Sequence, residues 1–314
     1  MIRAKGIMLI ISGAMLWGAT GPLLEWILSN YEISISFMLT IRLLAAGLGL
    51  LAFLKLKGKE LKPIWHQSYW VKRLVIFAIF GMLGVQYSFV AAIEASNAVV
   101  ATLLQFLAPI FVVLFVSWRL KMWPPRYQVM GIAGTLFGLY LLLTNGSLSS
   151  ILLSPAALAW GIAVGFCFAF YTLFPRPLME EWGVLLVVGW SMLLAGVILG
   201  VVSRVWLSDE WVLLLDWKLS ALLLTAIVIG TVAFILFLSS MKYINAIESS
   251  ILSSMEPLTA MIISVIWLQQ VLGKWQLVGS LVMLICVTWL SIAGERKKAS
   301  GEVSESDQIV VENK

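Results

Sequence analysis

The residues in this sequence that could do chemistry are isolated charges inside long apolar segments. Glu256 stands directly before Pro257 in the stretch ESSILSSMEPLTAMI, residues 248–262, and Arg42 and Glu25 interrupt two earlier apolar segments. A charge at the centre of a bilayer costs about 2.5 to 3.5 kcal/mol on insertion scales, so such residues usually face a protein interior or a water-filled cavity. They could bind a substrate, exchange protons or form a structural ion pair.

Polar side chains recur at helical spacing around Glu256. The stripe consists of Ser249, Ser253, Glu256 and Thr259, which share one face of a helix with 3.6 residues per turn. This pattern predicts a wet central cavity, although Ser and Thr also commonly form hydrogen bonds between membrane helices. Glu256 could titrate and take part in proton coupling, bind a cationic group, or pair with Arg42, and the sequence leaves these three roles open.

Other candidates lie in further apolar segments. Arg42 could bind a substrate carboxylate through its bidentate guanidinium, or it could form a structural salt bridge. Trp17, Tyr87, Tyr171 and Trp190 are deep aromatic residues that could line a pocket or simply pack. The predicted substrate-binding set is Glu256, Ser253, Gln105, Trp17, Tyr87, Thr259 and Arg42.

The sequence offers little support for enzyme, metal or cofactor chemistry. His66 is the sole histidine and has no partner motif nearby, and both cysteines, Cys167 and Cys286, fall in apolar segments without metal-ligand spacing. No glycine-rich phosphate-binding loop is present in the sequence. We therefore predict no catalytic residues, no metal site and no cofactor.

The composition indicates a multi-pass membrane protein. Hydrophobic residues make up 61% of the 314 residues and charged residues only 12%, whereas soluble domains are about half apolar and a quarter charged. A membrane helix needs about 20 mostly apolar residues. We predict an all-α membrane protein with ten transmembrane spans, at residues 7–29, 33–54, 71–92, 97–118, 127–144, 154–175, 183–203, 219–241, 246–268 and 275–293.

The placement of basic residues predicts the topology. A net charge of +5 could suggest a nucleic-acid partner. With the N-terminus in the cytoplasm, however, most Lys and Arg residues fall in cytoplasmic segments, and the outer loops hold only Arg204, Lys218 and Lys274. We therefore predict cytoplasmic termini, a lipid bilayer and a small-molecule substrate as partners, possible proton coupling and no nucleic acid; the oligomeric state stays open.

Two parts of the chain resemble each other. SNAVVATLLQFLAPIFVV, residues 96–113, aligns without gaps with INAIESSILSSMEPLTAM, residues 244–261, and this register pairs Pro109 with Pro257. AMLWGA, residues 14–19, similarly matches ALAWGI, residues 157–162. Because both prolines remove a helical hydrogen bond, we predict a kink or hinge at each.

The duplication predicts two five-helix repeats, residues 1–145 and 146–293, followed by a disordered cytoplasmic tail, residues 294–314. Because five is odd, the second repeat enters the membrane from the opposite side. Inverted repeats of this kind typically build secondary transporters, with the substrate site between the halves near the midplane.

These features together resemble the drug/metabolite transporter superfamily, specifically its EamA-type members. The resemblance rests on the ten spans, the early Trp-Gly pair in each half and the prolines in spans four and nine, and it covers about residues 7–293. Family members often carry Gly-Glu near the ends of these two spans, where this sequence has Lys121-Met122 and Gln269-Gln270. Roles tied to those acids do not carry over.

The predicted function is secondary transport of a small organic metabolite across the cytoplasmic membrane. We expect export of amino-acid-like compounds by alternating access, through a cavity lined by spans four and nine with contributions from spans one, three, six and eight. The alternatives are export of cationic drug-like compounds, an integral membrane enzyme or a lipid scramblase.

Overall fold

The structure is a computed structural model that describes residues 2–147, 153–240, 243, 252 and 255–299. All regular secondary structure in these residues is helical. The α-helices are α1 Ile2–Asn30, α2 Ile35–Leu56, α3 Ser68–Ile76, α4 Gly84–Ala95, α5 Ala98–Gln105, α6 Ala108–Leu120, α7 Arg126–Thr144, α8 Pro155–Leu173, α9 Arg176–Trp182, α10 Val184–Val202, α11 Trp217–Ser240, α12 Met255–Ile266 and α13 Lys274–Ala299. A π-helix, Phe77–Leu83, joins α3 to α4, and short 3₁₀-helices cover Pro63–His66, Val205–Leu207 and Asp209–Leu215.

Six helical segments in the described ranges are long and apolar enough to cross a membrane: Ala4–Asn30, Ile35–Leu56, Ser68–Ala95 (α3 to α4), Ala98–Arg119 (α5 with α6), Arg126–Thr144 and Val184–Val202. Two bent pairs raise this number to eight if each is one span, namely Pro155–Tyr171 with Arg176–Trp182 and Asp209–Leu215 with Trp217–Ala233. Met255–Ile266 and Lys274–Cys286 are shorter apolar helices. The all-helical, multi-pass architecture is confirmed. Ten spans stay a prediction because much of span nine lies outside the described residues, and the cytoplasmic position of the termini stays a prediction as well.

The fourth predicted span is broken at its proline. Helix α5 ends at Gln105 and α6 begins at Ala108, so that Pro109 is the second residue of α6. Proline has no N–H with which to bond the carbonyl four residues earlier, which here belongs to Gln105. In span nine the described helix α12 begins at Met255, and Pro257 is its third residue and is buried.

Four described residues other than glycine adopt the left-handed backbone conformation, and two of them follow helix ends at corresponding positions of the two predicted repeats. Lys121, which follows α6, has a φ of 53°, and Gln269, which follows α12, has a φ of 54°. These are the two positions where the family resemblance leads one to expect glycine. Beyond the second of them, the Gln270 N–H donates to the Ser264 carbonyl at 3.1 Å and so completes the end of α12.

The most extensive helix contacts join a helix of one predicted repeat to a helix of the other. Helix α1 packs on α11 and α12, whereas α8, its counterpart in the second repeat, packs on α4, α5 and α6. Helix α2 packs on α10, and α7 packs on α13. Each repeat therefore covers helices of the other, and the largest apolar core lies around Phe37 of α2 and Phe77 of the π-helix, both almost fully buried.

The Trp-Gly pairs explain two of these crossings. A Cβ added at Gly18 would overlap the backbone carbonyl oxygen of Glu256 and would lie 2.9 Å from the Thr259 Cβ. A Cβ added at Gly161 would overlap the Leu104 side chain. Glycine permits this close approach at both positions, and at Gly18 the obstacle to any larger residue is backbone, so each pair helps to fix where its helix crosses a proline-bearing span of the other repeat.

Candidate substrate cavity

A cavity of about 120 Å³ lies between helices of both predicted repeats. Its polar lining consists of Thr20, Arg42, Gln86, Gln105, Thr231 and Glu256. Its aromatic lining consists of Trp17, Phe89, Phe168 and Tyr171. Helices α1, α2, α4, α5, α8, α10, α11 and α12 contribute to it, so α2 and α10 join the helices expected from the sequence.

Arg42 brings a positive charge into the wall of this cavity. The residue lies on α2 opposite Gly230 of α11, where an added Cβ would come within 3.2 Å of the guanidinium Nη2. Glycine at position 230 thus leaves room for the guanidinium. Arg42 forms neither a hydrogen bond nor an ion pair with any residue that the structure describes, so its donors face the cavity uncommitted.

Glu256 brings a negative charge to the same cavity. It is the second residue of α12, and Gln105, the last residue of α5, donates its Nε2–H to the Glu256 Oε1 at 3.4 Å. This bond is long for an N–H···O contact, which is usually 2.7–3.2 Å. In the described part of the chain no ion pair joins Glu256 to Arg42, although both line the cavity.

The structure brings four of the seven predicted binding residues together: Glu256, Gln105, Trp17 and Arg42.

Tyr87 does not line the cavity, because its ring packs edge-on against Trp160 of α8 with centroids 5.7 Å apart. Thr259 does not line it either. Its hydroxyl donates to the Met255 carbonyl at 2.6 Å, and its Cβ lies at the α1 crossing. Ser253 and Ser249 lie outside the described residues.

Of the other deep aromatic residues, one reaches the cavity and one does not. Tyr171 of α8 lines it. Trp190 of α10 instead packs against Trp65, and its indole N–H donates to the Leu61 carbonyl at 3.0 Å. Depth along a span therefore does not decide which aromatic residues face the cavity.

Sequence reasoning missed three polar lining residues. Gln86 of α4 had a detectable signal, because it is a glutamine in an apolar segment and shares a helix face with Met82 and Phe89, which also line the cavity. Its only described hydrogen bond is a long one to the Met82 sulfur, at 3.9 Å. Thr20 and Thr231 offered no signal in the sequence, because a threonine in an apolar helix commonly bonds its hydroxyl to the carbonyl four residues earlier and needs no cavity. Both hydroxyls make this bond here.

The π-helix Phe77–Leu83 precedes Gln86 by less than one turn. In such a segment each N–H bonds a carbonyl five residues earlier, which rotates the following side chains relative to a regular α-helix. Segments of this type are rare and frequently occur at functional sites. Here it contributes Met82 to the cavity wall and sets the direction of α4.

No group of three or more His, Cys, Asp or Glu residues in the described ranges could hold a metal ion.

Comparison with known proteins identifies the family and the fold of this chain. The model of the EamA-like transporter family matches the chain twice, at residues 4–144 and 155–292. An "Uncharacterized inner membrane transporter YicL" from Salmonella typhimurium strain LT2 is 35% identical over 296 residues, which cover 93% of this chain and 97% of that protein. A solved structure titled "Crystal structure of protein" has a similar fold, with a TM-score of 0.61, 16% identity, and coverage of 94% of this chain and 99% of the other.

The two family matches cover most of the chain, and the relative is similar over almost its whole length. Together with the long apolar helices, they indicate a multi-pass transporter of the cytoplasmic membrane and not an enzyme. The chain belongs to the EamA-like transporter family.

Proposed function

We propose that this transporter exports a small amino-acid-like compound by alternating access through the cavity between its two halves. The observation that carries the proposal is the presence of Arg42 and Glu256 in one cavity wall without an ion pair between them. A charge removed from water is costly unless a partner compensates it. A zwitterionic substrate supplies a partner for each of the two charges at the same time.

The substrate's groups find matching surfaces in the cavity. Its carboxylate would accept two hydrogen bonds from the Arg42 guanidinium, whose planar fork suits this geometry. Its ammonium group would donate to the Glu256 carboxylate and to the amide oxygen of Gln105. The aromatic residues Trp17 and Tyr171 offer an apolar surface for the rest of the molecule.

The size of the cavity supports a small metabolite. Sites for drug-sized ligands usually measure about 300–1,000 Å³, whereas this cavity measures about 120 Å³. The cationic-drug alternative has one observation in its favour, since Glu256 faces aromatic side chains and has no ion pair in the described residues. Arg42 in the same wall argues against it, because a purely cationic substrate would leave that guanidinium uncompensated.

The helix interruptions support a role in alternating access. Gln105 is the last residue before the break at Pro109, and Glu256 stands directly before Pro257. Pro109 has no N–H to donate to the Gln105 carbonyl, and Pro257 follows Glu256 directly, so each candidate binding residue adjoins a missing helical hydrogen bond. A change of direction at either proline would move a substrate-binding group, which couples helix movement to binding and release.

Glu256 is also our candidate for proton coupling. Its carboxylate accepts one long hydrogen bond from Gln105 and no ion pair among the described residues, so it is free to exchange a proton with the cavity. Arrival of the substrate's ammonium group would favour the ionised carboxylate, and departure of that group would allow reprotonation. Substrate and proton would then occupy the same side chain in turn.

The test is transport by purified protein in proteoliposomes, with three matched compounds: an amino acid, the amine that lacks its carboxylate, and the N-acylated acid that lacks its ammonium. We expect the wild type to prefer the amino acid. Arg42→Gln should abolish the preference over the amine and Glu256→Gln the preference over the acid. Each loss should be about tenfold to a hundredfold, because a hydrogen bond to a charged group contributes about 1.5–3 kcal/mol.

Glu94→Gln and Arg119→Gln serve as controls, because both side chains are exposed and lie outside the cavity. Equal transport of the amine and the amino acid by both wild type and Arg42→Gln would contradict the zwitterion proposal and favour the cationic alternative. A pH gradient applied in parallel tests coupling. If Glu256→Gln keeps the wild-type response to the gradient, this carboxylate does not carry the proton.

A further inference from the structure

Glu25 connects its own helix, α1, to the ends of α5 and α12 at one end of the bundle. Its Oε2 accepts the backbone N–H of Ala98, the first residue of α5, at 2.7 Å. Its Oε1 accepts a hydrogen bond from the side-chain amide of Gln270, which follows the end of α12. The two residues are 245 positions apart in the sequence, so the contact connects the first half of the chain to the second.

An aromatic contact lies beside these hydrogen bonds. The indole ring of Trp26, the next residue of α1, stacks on that of Trp267, with an interplanar angle of 12° and centroids 6.0 Å apart. Stacked aromatic pairs stabilise a contact beyond the effect of their buried area. Charge and stacking thus hold the end of α1 against the end of α12.

The same three helices carry residues of the cavity. Helix α1 contributes Trp17 and Thr20, α5 contributes Gln105, and α12 contributes Glu256. These residues lie between one and four helical turns from the Glu25 contacts along their helices. A separation of α1, α5 and α12 at the Glu25 end would therefore open the cavity towards that end.

The chemistry of the contact suits repeated breaking and forming. The negative charge of Glu25 meets the partly positive N-terminus of α5 and a neutral amide, and it forms no ion pair with a described residue. The second polar atom of the amide, Gln270 Oε1, is buried without a hydrogen-bond partner in the described structure. An incompletely satisfied amide stabilises the closed contact less than a full network would.

The contact has no counterpart in the other half of the sequence. The repeat register that aligns the Trp-Gly pairs matches Glu25 with Phe168, and the register that aligns the prolines matches Gln270 with Met122. Phe168 lines the cavity instead. Neither phenylalanine nor methionine can form this charged hydrogen bond, so the two ends of the bundle differ in how they are held together.

We propose that Glu25 and Gln270 form a latch that keeps the cavity closed at the end predicted to face outside, and that this latch must break each time the cavity opens there. The proposal rests on the alternating access argued above. Because this pair of residues has no counterpart in the repeat register, the latch biases the resting transporter towards the state that is closed to the outside.

The test measures access to the cavity and needs no substrate. A Cys167→Ser/Cys286→Ser background removes both native thiols, and Thr20→Cys places a reporter in the cavity wall between Trp17 and Glu25. Labelling by a membrane-impermeant thiol reagent is followed in right-side-out and in inverted vesicles. We expect Glu25→Ala and Gln270→Ala each to raise the labelling rate from the outside about tenfold or more without raising it from the inside.

Two further variants refine this result. Gln270→Glu should open the outer end most, because two carboxylates would face each other, and Glu25→Gln should have a smaller effect, because its amide oxygen can still accept the Ala98 N–H. Glu94→Gln is the matched control, since it removes an exposed acid from the same end of the bundle. Size-exclusion profiles identify any variant that fails to fold, and only variants with the wild-type profile count.

Unchanged outside labelling in folded Glu25→Ala and Gln270→Ala would overturn the latch, as would an increase from the inside only. Failure of the transport proposal is distinguishable, because it would appear in the substrate assay while the labelling result stays as expected. If the transporter prefers amines, for example, the substrate assay contradicts the proposed function, while the labelling assay still gives the result expected for the latch.

Discussion

Each half of the chain places a Trp-Gly pair against a proline-bearing span of the other half, but the two crossings touch different groups. Gly18 meets the backbone of Glu256, directly before Pro257, whereas Gly161 meets the side chain of Leu104, one residue before the end of α5. In the register that aligns the prolines Glu256 corresponds to Ala108, so the two contacts lie about one helical turn apart along their spans, and the acid is present at one crossing only. The two halves thus share the Trp-Gly and proline features, whereas the charge that we assign to function is present in one half only.

The largest expected effect comes from breaking the Gly18 crossing. Gly18→Ala would put a methyl group into a backbone carbonyl, which cannot move without shifting α12. Overpacking of this kind costs about 1–3 kcal/mol, and the displacement would also move Glu256 in the cavity. We expect a clearly lower thermal midpoint in detergent together with loss of transport. Wild-type stability and transport in this variant would show that α1 and α12 are not held at this point.

The matched change in the other half should have a smaller effect. Gly161→Ala meets the end of a flexible leucine side chain, which can adopt another rotamer. We expect a loss of stability below that of Gly18→Ala, and we expect transport to be retained. The double variant Gly161→Ala/Leu104→Ala should lose less stability than the sum of the two single changes, because the smaller side chain leaves room for the added methyl group. A loss in Gly161→Ala equal to that of Gly18→Ala, with additive effects in the double variant, would remove the distinction between the crossings.

The smallest effect is expected where the two halves have the same conformation. Lys121 and Gln269 both adopt left-handed backbone angles, which cost about 1–2 kcal/mol for residues with a Cβ. Lys121→Gly and Gln269→Gly should each raise the thermal midpoint modestly and by similar amounts. If either glycine variant were less stable than the wild type, the left-handed conformation at that position would be contradicted.

Much of the candidate site could be predicted from residue type. Glu256, Arg42 and Gln105 are polar groups in apolar segments, and the cost of burying them without water or a partner implied a shared interior. Thr259 and Tyr87 were assigned less successfully. Helical periodicity shows that Thr259 lies on the side of α12 that carries Glu256, but only packing shows that α1 covers Thr259.

The latch illustrates a second limit. Glu25 and Gln270 stand out as polar residues near the ends of apolar segments, yet no spacing relates residues from opposite ends of a chain. Their contact depends on how α1 crosses α12, and that crossing depends on Gly18. Close approach of two helices is a property of both surfaces together, so one helix pattern cannot reveal it.

By itself the sequence determined the membrane environment, the duplication and the isolated charges, because hydrophobicity and repeat register are properties of residue order. The tertiary structure decided which of those charges share a cavity, that Arg42 and Glu256 face it without pairing, and that Glu25 joins α1 to the ends of α5 and α12. The physical reason is that side-chain partners are set by helix rotation and crossing position, and these are fixed by packing between segments far apart in the chain.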